Sequence, residues 1–141
     1  MTGTIKKRLR RQLSVLIVED QKYNLLVLNK MLERRGISVI TAENGLEALE
    51  ICSSHDDIDL VLMDIKMPVM DGFTAMKEIK KLRPELKVIA ETAYALSGDE
   101  KRIIESGFDD YLPKPITREN LEECIKRNIL NTVLFPSVLF C

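Results

Sequence analysis

A doubly wound α/β fold, a single parallel sheet with helices on both faces, is the class this sequence predicts, and three observations predict it. Short runs of β-branched and apolar residues alternate with runs of helical periodicity from about residue 14 to about residue 130. The strand-like runs are largely apolar instead of alternating, as in strands covered on both faces of a parallel sheet. Three of them close on ionisable side chains. Ser14-Val15-Leu16-Ile17-Val18 runs into Glu19-Asp20, Ile58-Asp59-Leu60-Val61-Leu62-Met63 into Asp64, and Asp110-Tyr111-Leu112-Pro113 into Lys114. In an open α/β sheet, groups at the carboxyl ends of different strands converge on one crevice.

Each element has its own signals. After the first strand, Leu25, Val27, Leu28, Met31 and Leu32 share one arc of a helix over 24–35, Leu26 falls off that arc, and Gly36 is a stop. Ser38–Ala42 is the second strand, and Leu46–Cys52 a short helix after Asn44-Gly45. The run ending at Asp64 is the third strand. Gly72–Leu82 follows as a helix with Phe73, Met76 and Ile79 at apolar spacing and Pro84 beyond. Lys87-Val88-Ile89-Ala90 leads through Glu91 to Thr92 as the fourth strand, and Asp99–Ser106 is a helix between Gly98 and Gly107. Thr117 caps the last helix, with Leu121, Cys124 and Ile125 inward. Leu121, Ile125, Ile129 and Val133 keep helical spacing, so this helix is expected to continue until Pro136. Five βα units imply right-handed crossovers.

The 141 residues suit one domain, read as residues 13–128 between a basic tail or linker (1–12) and an apolar extension (129–141). Apolar content of 45% and charged content of 30% fit a soluble globular protein, and a net charge of -1 gives no pull towards nucleic acid or membrane. Lys6, Lys7, Arg8, Arg10 and Arg11 read as a solvated segment. No run is long enough to span a bilayer, and no signal peptide is evident. Cys52, Cys124 and Cys141 lack metal-type spacing, which points to buried reduced thiols and a cytoplasmic setting. His55, the one histidine, lies in a polar loop, which argues against histidine-based catalysis.

The strand ends supply the chemistry. A hard cation such as Mg²⁺ takes oxygen ligands and is held by one or two carboxylates with phosphate oxygens and water. Asp20 and Asp64 are the candidate direct ligands, with Glu19 beside them. Three gathered carboxylates need counter-charge, which a metal and Lys114 supply. The edge is thus equipped to hold a divalent metal and a phosphoryl group.

Taken in order, Glu19-Asp20, Asp64…Met67-Pro68…Met70-Asp71-Gly72, Thr92-Ala93 and Tyr111…Lys114-Pro115 resemble the receiver domain of two-component signalling proteins. Ala42-Glu43-Asn44-Gly45…Glu47-Ala48-Leu49 and Gly107-Phe108-Asp109-Asp110-Tyr111 match it as well, so the resemblance covers residues 13–128. It implies a CheY-like, flavodoxin-like strand order 2-1-3-4-5. It makes Asp64 the acceptor of a phosphoryl group from a phosphohistidine on a histidine kinase or phosphotransfer domain. Mg²⁺ would sit on Glu19, Asp20, Asp64 and the Lys66 backbone carbonyl. Lys114 and Thr92 would neutralise phosphoryl oxygens, Thr92 and Tyr111 would form the switch, and Lys114-Pro115 would be cis. Lys66 and Tyr94 would border the entrance and set rates, and Leu26 would dock a helical partner. Ala90-Glu91-Thr92-Ala93-Tyr94-Ala95 is most similar to receivers of hybrid sensor histidine kinases, with Glu91 standing where glutamine is usual. That departure is expected to leave the chemistry untouched.

Two other classes compete. A metal-dependent aspartyl-phosphate phosphatase would place an acid two residues after its nucleophile, where this chain has Lys66. A phosphorylation-independent interaction module would not need Asp20, Asp64, Thr92 and Lys114 together. The fourth-helix surface and the apolar tail each offer a route to a dimer.

Overall fold

The computed structural model describes residues 12–93 and 98–130. The chain alternates β1 (Ser14–Val18), α1 (Lys22–Glu33), β2 (Ser38–Ala42), α2 (Gly45–Ser54), β3 (Leu60–Asp64), α3 (Gly72–Leu82), β4 (Lys87–Thr92), α4 (Asp99–Ser106), β5 (Asp110–Pro113) and α5 (Arg118–Ile125). All strand pairs are parallel, in the order β2-β1-β3-β4-β5 that the resemblance implied. Burial follows from that order: β1 and β3 are buried at every residue, whereas the edge strands β2 and β5 are largely half-exposed.

Alternation along the strands splits the core into two layers. Leu16, Val18, Val61, Met63, Val88 and Ala90 pack under α2, α3 and α4, against residues such as Ala48, Met76 and Ile103. Val15, Ile17, Leu60, Leu62 and Ile89 pack under α1 and α5, against Leu28, Leu32, Leu121, Cys124 and Ile125. The same alternation puts Glu91, two residues beyond Ile89, on the α1 and α5 side.

Local chemistry starts the helices that border the edge. The side chains of Asn44, Asp71 and Thr117 accept from the N–H groups of Glu47, Thr74 and Asn120, capping α2, α3 and α5. Lacking such a cap, α1 begins behind Gln21, two residues earlier than its apolar pattern suggests. Beyond Ile125 the last helix widens into a π-helical segment, Lys126–Leu130, where Asn128 Nδ2 donates to Cys124 O at 2.8 Å and to Asp110 Oδ2 at 2.9 Å. The expected run to Pro136, the basic residues 5–11 and Tyr94 lie outside the described residues. Cys52 and Cys124 are buried free thiols, as their lack of metal-type spacing suggested, and burial pushes them up to about 11 and about 12. Among the described residues no helix is long and apolar enough to cross a membrane.

Candidate functional site

Register brings the site together. Asp64 ends β3 directly opposite Glu91 of β4, and Thr92 pairs with Pro113 of β5. Glu19 N donates to Ala42 O at 3.0 Å, so the first residue after β1 is still held by the sheet. Lys114 N donates to Thr92 O at 2.8 Å, which fixes where the lysine leaves β5. Across the crevice, Gly72 N donates to Ile65 O. A Cβ on Gly72 would stand 2.6 Å from Asp64 O and from Ile65 Cα, so only glycine lets α3 start this close to the end of β3.

Carboxylate atoms of Glu19, Asp20 and Asp64 lie within 4.8 Å of one another. Lys114 Nζ stands 3.1 Å from Asp64 Oδ2 and 3.7 Å from Glu19 Oε1. Asp64 Oδ1 accepts from Lys66 N at 3.0 Å, and Glu19 Oε2 from Gln21 N at 3.2 Å. Burial pushes Glu19 up to about 6; Lys114 opposes the shift and Asp64 adds to it. Burial would lower Lys114, but the Asp64 and Glu19 carboxylates outweigh it and hold the ammonium above its usual range. A hard divalent cation fits this donor set. Three carboxylates offer oxygen, and the buried Glu19 Oε1 has no hydrogen-bond partner among the described residues. A cavity of about 170 Å³ opens over the cluster, bordered by Asp20, Asp64, Lys66, Ala93 and Lys114.

The other expected residues fall around this centre. Thr92 is buried at the end of β4. Tyr111 is half-buried, its Oη donating to Glu100 Oε2 of α4 at 3.3 Å, which ties β5 to that helix. Lys114-Pro115 is cis, and His55 is exposed. Leu26 is exposed on α1, off the buried arc.

Glu91 is the residue that sequence reasoning set aside. Its side chain is 0% exposed, and neither oxygen has a hydrogen-bond partner among the described residues. Burial and then the negative charge of Glu19 push it up to about 8. Glu91 also borders both the cavity over Asp64 and a larger one beside α1. The signal was present in the sequence, as an acid at an inward position of an otherwise apolar strand.

Comparison with known proteins agrees with this geometry. The family model of the response regulator receiver domain matches residues 15–126. The polar-differentiation response regulator DivK of Brucella anthropi is 41% identical over 116 residues, covering 80% of this chain and 93% of that relative. A receiver domain of a sensor histidine kinase from Pseudomonas aeruginosa, solved with a magnesium ion in its active site cleft, is 34% identical. Its TM-score is 0.76, with 83% of this chain and 97% of that one covered. The receiver domain of Ssk1 from Saccharomyces cerevisiae, solved with the histidine phosphotransfer protein Ypd1, is 28% identical at a TM-score of 0.78. Coverage there is 87% of this chain and 93% of that one. Matched over most of its length, this chain belongs to the response regulator receiver domain family of two-component signalling.

Proposed function

We propose that this receiver is a phosphoacceptor switch in which Asp64 takes a phosphoryl group from a phosphohistidine of a histidine kinase or phosphotransfer domain. The observation that carries the reading is the Asp64 carboxylate itself, held on one oxygen by Lys66 N and faced on the other by Lys114 Nζ at 3.1 Å. A carboxylate oxygen of Asp64 attacks phosphorus, the P–N bond breaks, and the imidazole nitrogen leaves with the electron pair. Phosphoryl transfer depends mainly on in-line positioning and on neutralising the equatorial oxygens. Lys114 neutralises one of them, and the Thr92 hydroxyl with Ala93 N–H binds another. Glu19, Asp20, Asp64 and the Lys66 carbonyl are the residues that would hold Mg²⁺, which when bound supplies the remaining positive charge. The same groups favour attack by water, whose oxygen displaces the Asp64 carboxylate, so the phosphorylated state decays unaided. Two residues after Asp64, Lys66 offers no acid to protonate the leaving group of an external ester, which disfavours a phosphatase.

Switching links Thr92 to Tyr111: movement of the threonine towards the phosphoryl group lets the tyrosine leave Glu100 and reshape the face of α4, β5 and α5. The partner is a histidine-bearing helical protein in the cytoplasm, reached through α1, where Tyr23 and Leu26 are 76% and 51% exposed. The Ypd1 complex of a similar receiver supports that kind of partner.

Intact-protein mass spectrometry after incubation with a small phosphodonor tests the reading. One added phosphoryl group is expected, dependent on Mg²⁺ and absent in Asp64→Asn. If neither the small donor nor a phosphorylated histidine domain yields an adduct, the phosphoacceptor reading fails and the interaction module takes its place.

A further inference from the structure

We propose that the cleft between α1 and the turn after β5 is a second binding site, built for a small planar organic cation of the amidinium or guanidinium class. Its volume is about 510 Å³, within the range of small-molecule sites. Val27 and Leu28 of α1 line it together with Pro115 and Ile116, and Tyr23 and Asn24 complete the α1 side. Three charged groups also border it, Glu19, Lys114 and Glu91, and the first two face each other at 3.7 Å. Glu91 borders the cleft from β4, fully buried, with both carboxylate oxygens unpartnered among the described residues.

A buried carboxyl without a hydrogen-bond partner is costly, and no donor among the described residues reaches either oxygen. Lys114 is engaged elsewhere, with its Nζ beside Asp64 and Glu19. Two free oxygens on one carboxyl match a planar cation that donates two parallel N–H bonds, which an amidinium or guanidinium does and a single ammonium does not. The aliphatic lining then receives the flat apolar body of the ligand. The cleft and the phosphoacceptor cavity share Glu91 and Lys114, and Glu19 of the acidic cluster lines the cleft, but Asp20, Asp64 and Lys66 border only the cavity over Asp64. Binding here needs no phosphoryl chemistry, so the inference stands or falls apart from the proposed function.

The full chain, in the presence of Mg²⁺, is titrated with benzamidine and with its uncharged analogue benzamide while backbone amide resonances are followed. Saturable shifts are expected at Val27, Leu28 and Ile116, with benzamide at least tenfold weaker. Glu91→Gln is expected to weaken benzamidine at least tenfold, and Val27→Phe, which narrows the cleft without touching the carboxyl, to weaken both compounds. Shifts confined to Asp20 and other exposed acids would overturn the proposal. So would equal affinity for the two compounds, or affinity unchanged in both variants.

Discussion

Asp64 and Glu91 are neighbours in register on adjacent central strands, both nearly sealed from solvent at 6% and 0% exposure, and they are treated oppositely. Asp64 has a backbone N–H on one oxygen and an ammonium on the other. Glu91 has no hydrogen-bond partner on either among the described residues. Strand-end position therefore brings a carboxyl to the edge but does not decide what it does there. Facing does not separate them, since alternation puts Asp64, two residues beyond Leu62, on the same α1 and α5 side as Glu91; the donors do, because Lys114 stands beside Asp64 and Glu19.

Removing the shared cation breaks the comparison most completely. Lys114→Met keeps the length of the side chain and deletes its charge, leaving, among the described residues, the Lys66 N–H on Asp64 and the Gln21 N–H on Glu19. Phosphorylation of Asp64 from a small donor should slow by about 10²–10³-fold, the usual loss for one preorganised electrostatic group. Quench-flow or fluorescence kinetics on wild type and variant would measure it. A rate within a factor of about three would mean that Lys114 holds no charge at the reacting oxygens.

Glu91→Gln sharpens the comparison by replacing a buried carboxyl that has no hydrogen-bond partner among the described residues. The folded protein holds the Glu91 proton up to about 8, above the ordinary carboxylate value of 4.5, so across that interval it binds more protons than the unfolded chain. Wild-type stability should thus be fully present below the lower value and fall as pH rises towards the upper one. The glutamine variant should match wild type near pH 4.5 and gain progressively above it, reaching a few kcal/mol near pH 8 at about 1.4 kcal/mol for each unit of displacement. Urea denaturation across that range measures the difference. A gain that does not vary with pH would show that packing, and not the proton, separates the two side chains.

Much of this was legible in the sequence because the physical signals are local. Continuous apolar runs marked β1 and β2 to the residue, and the Asp71-Gly72 entry did the same for α3. Asp64 and Lys114 were legible because each ends or directly follows a strand run, and Asp20 because only Glu19 separates it from β1. The start of α1 was not, since Gln21 makes no side-chain cap, and neither was the π-helical segment after Ile125, which involves Asn128 reaching back to Asp110 of another element. Glu91 was visible but undervalued. A strand pattern gives the face a side chain points to, whereas the lack of a partner for it emerges only when α1, β5 and α5 have closed around it.

The backbone carries the same asymmetry on a smaller scale. On the Asp64 side the loop between β3 and α3 is strained: Val69 sits at φ 70°, the one positive-φ non-glycine among the described residues, and Met70 N donates to Pro68 O across it. A β-branched residue pays for left-handed backbone, and asparagine tolerates it better. Val69 is 77% exposed, so Val69→Asn removes little packing. The variant should gain about 1 kcal/mol in chemical denaturation. Because Asp71 still caps α3 and Gly72 still seats it against Asp64, phosphorylation kinetics should stay within about twofold of wild type. A stability gain accompanied by a tenfold change in rate would instead make the strained loop part of how Asp64 is presented, and the contrast with Glu91 would then rest on the backbone as well as on charge.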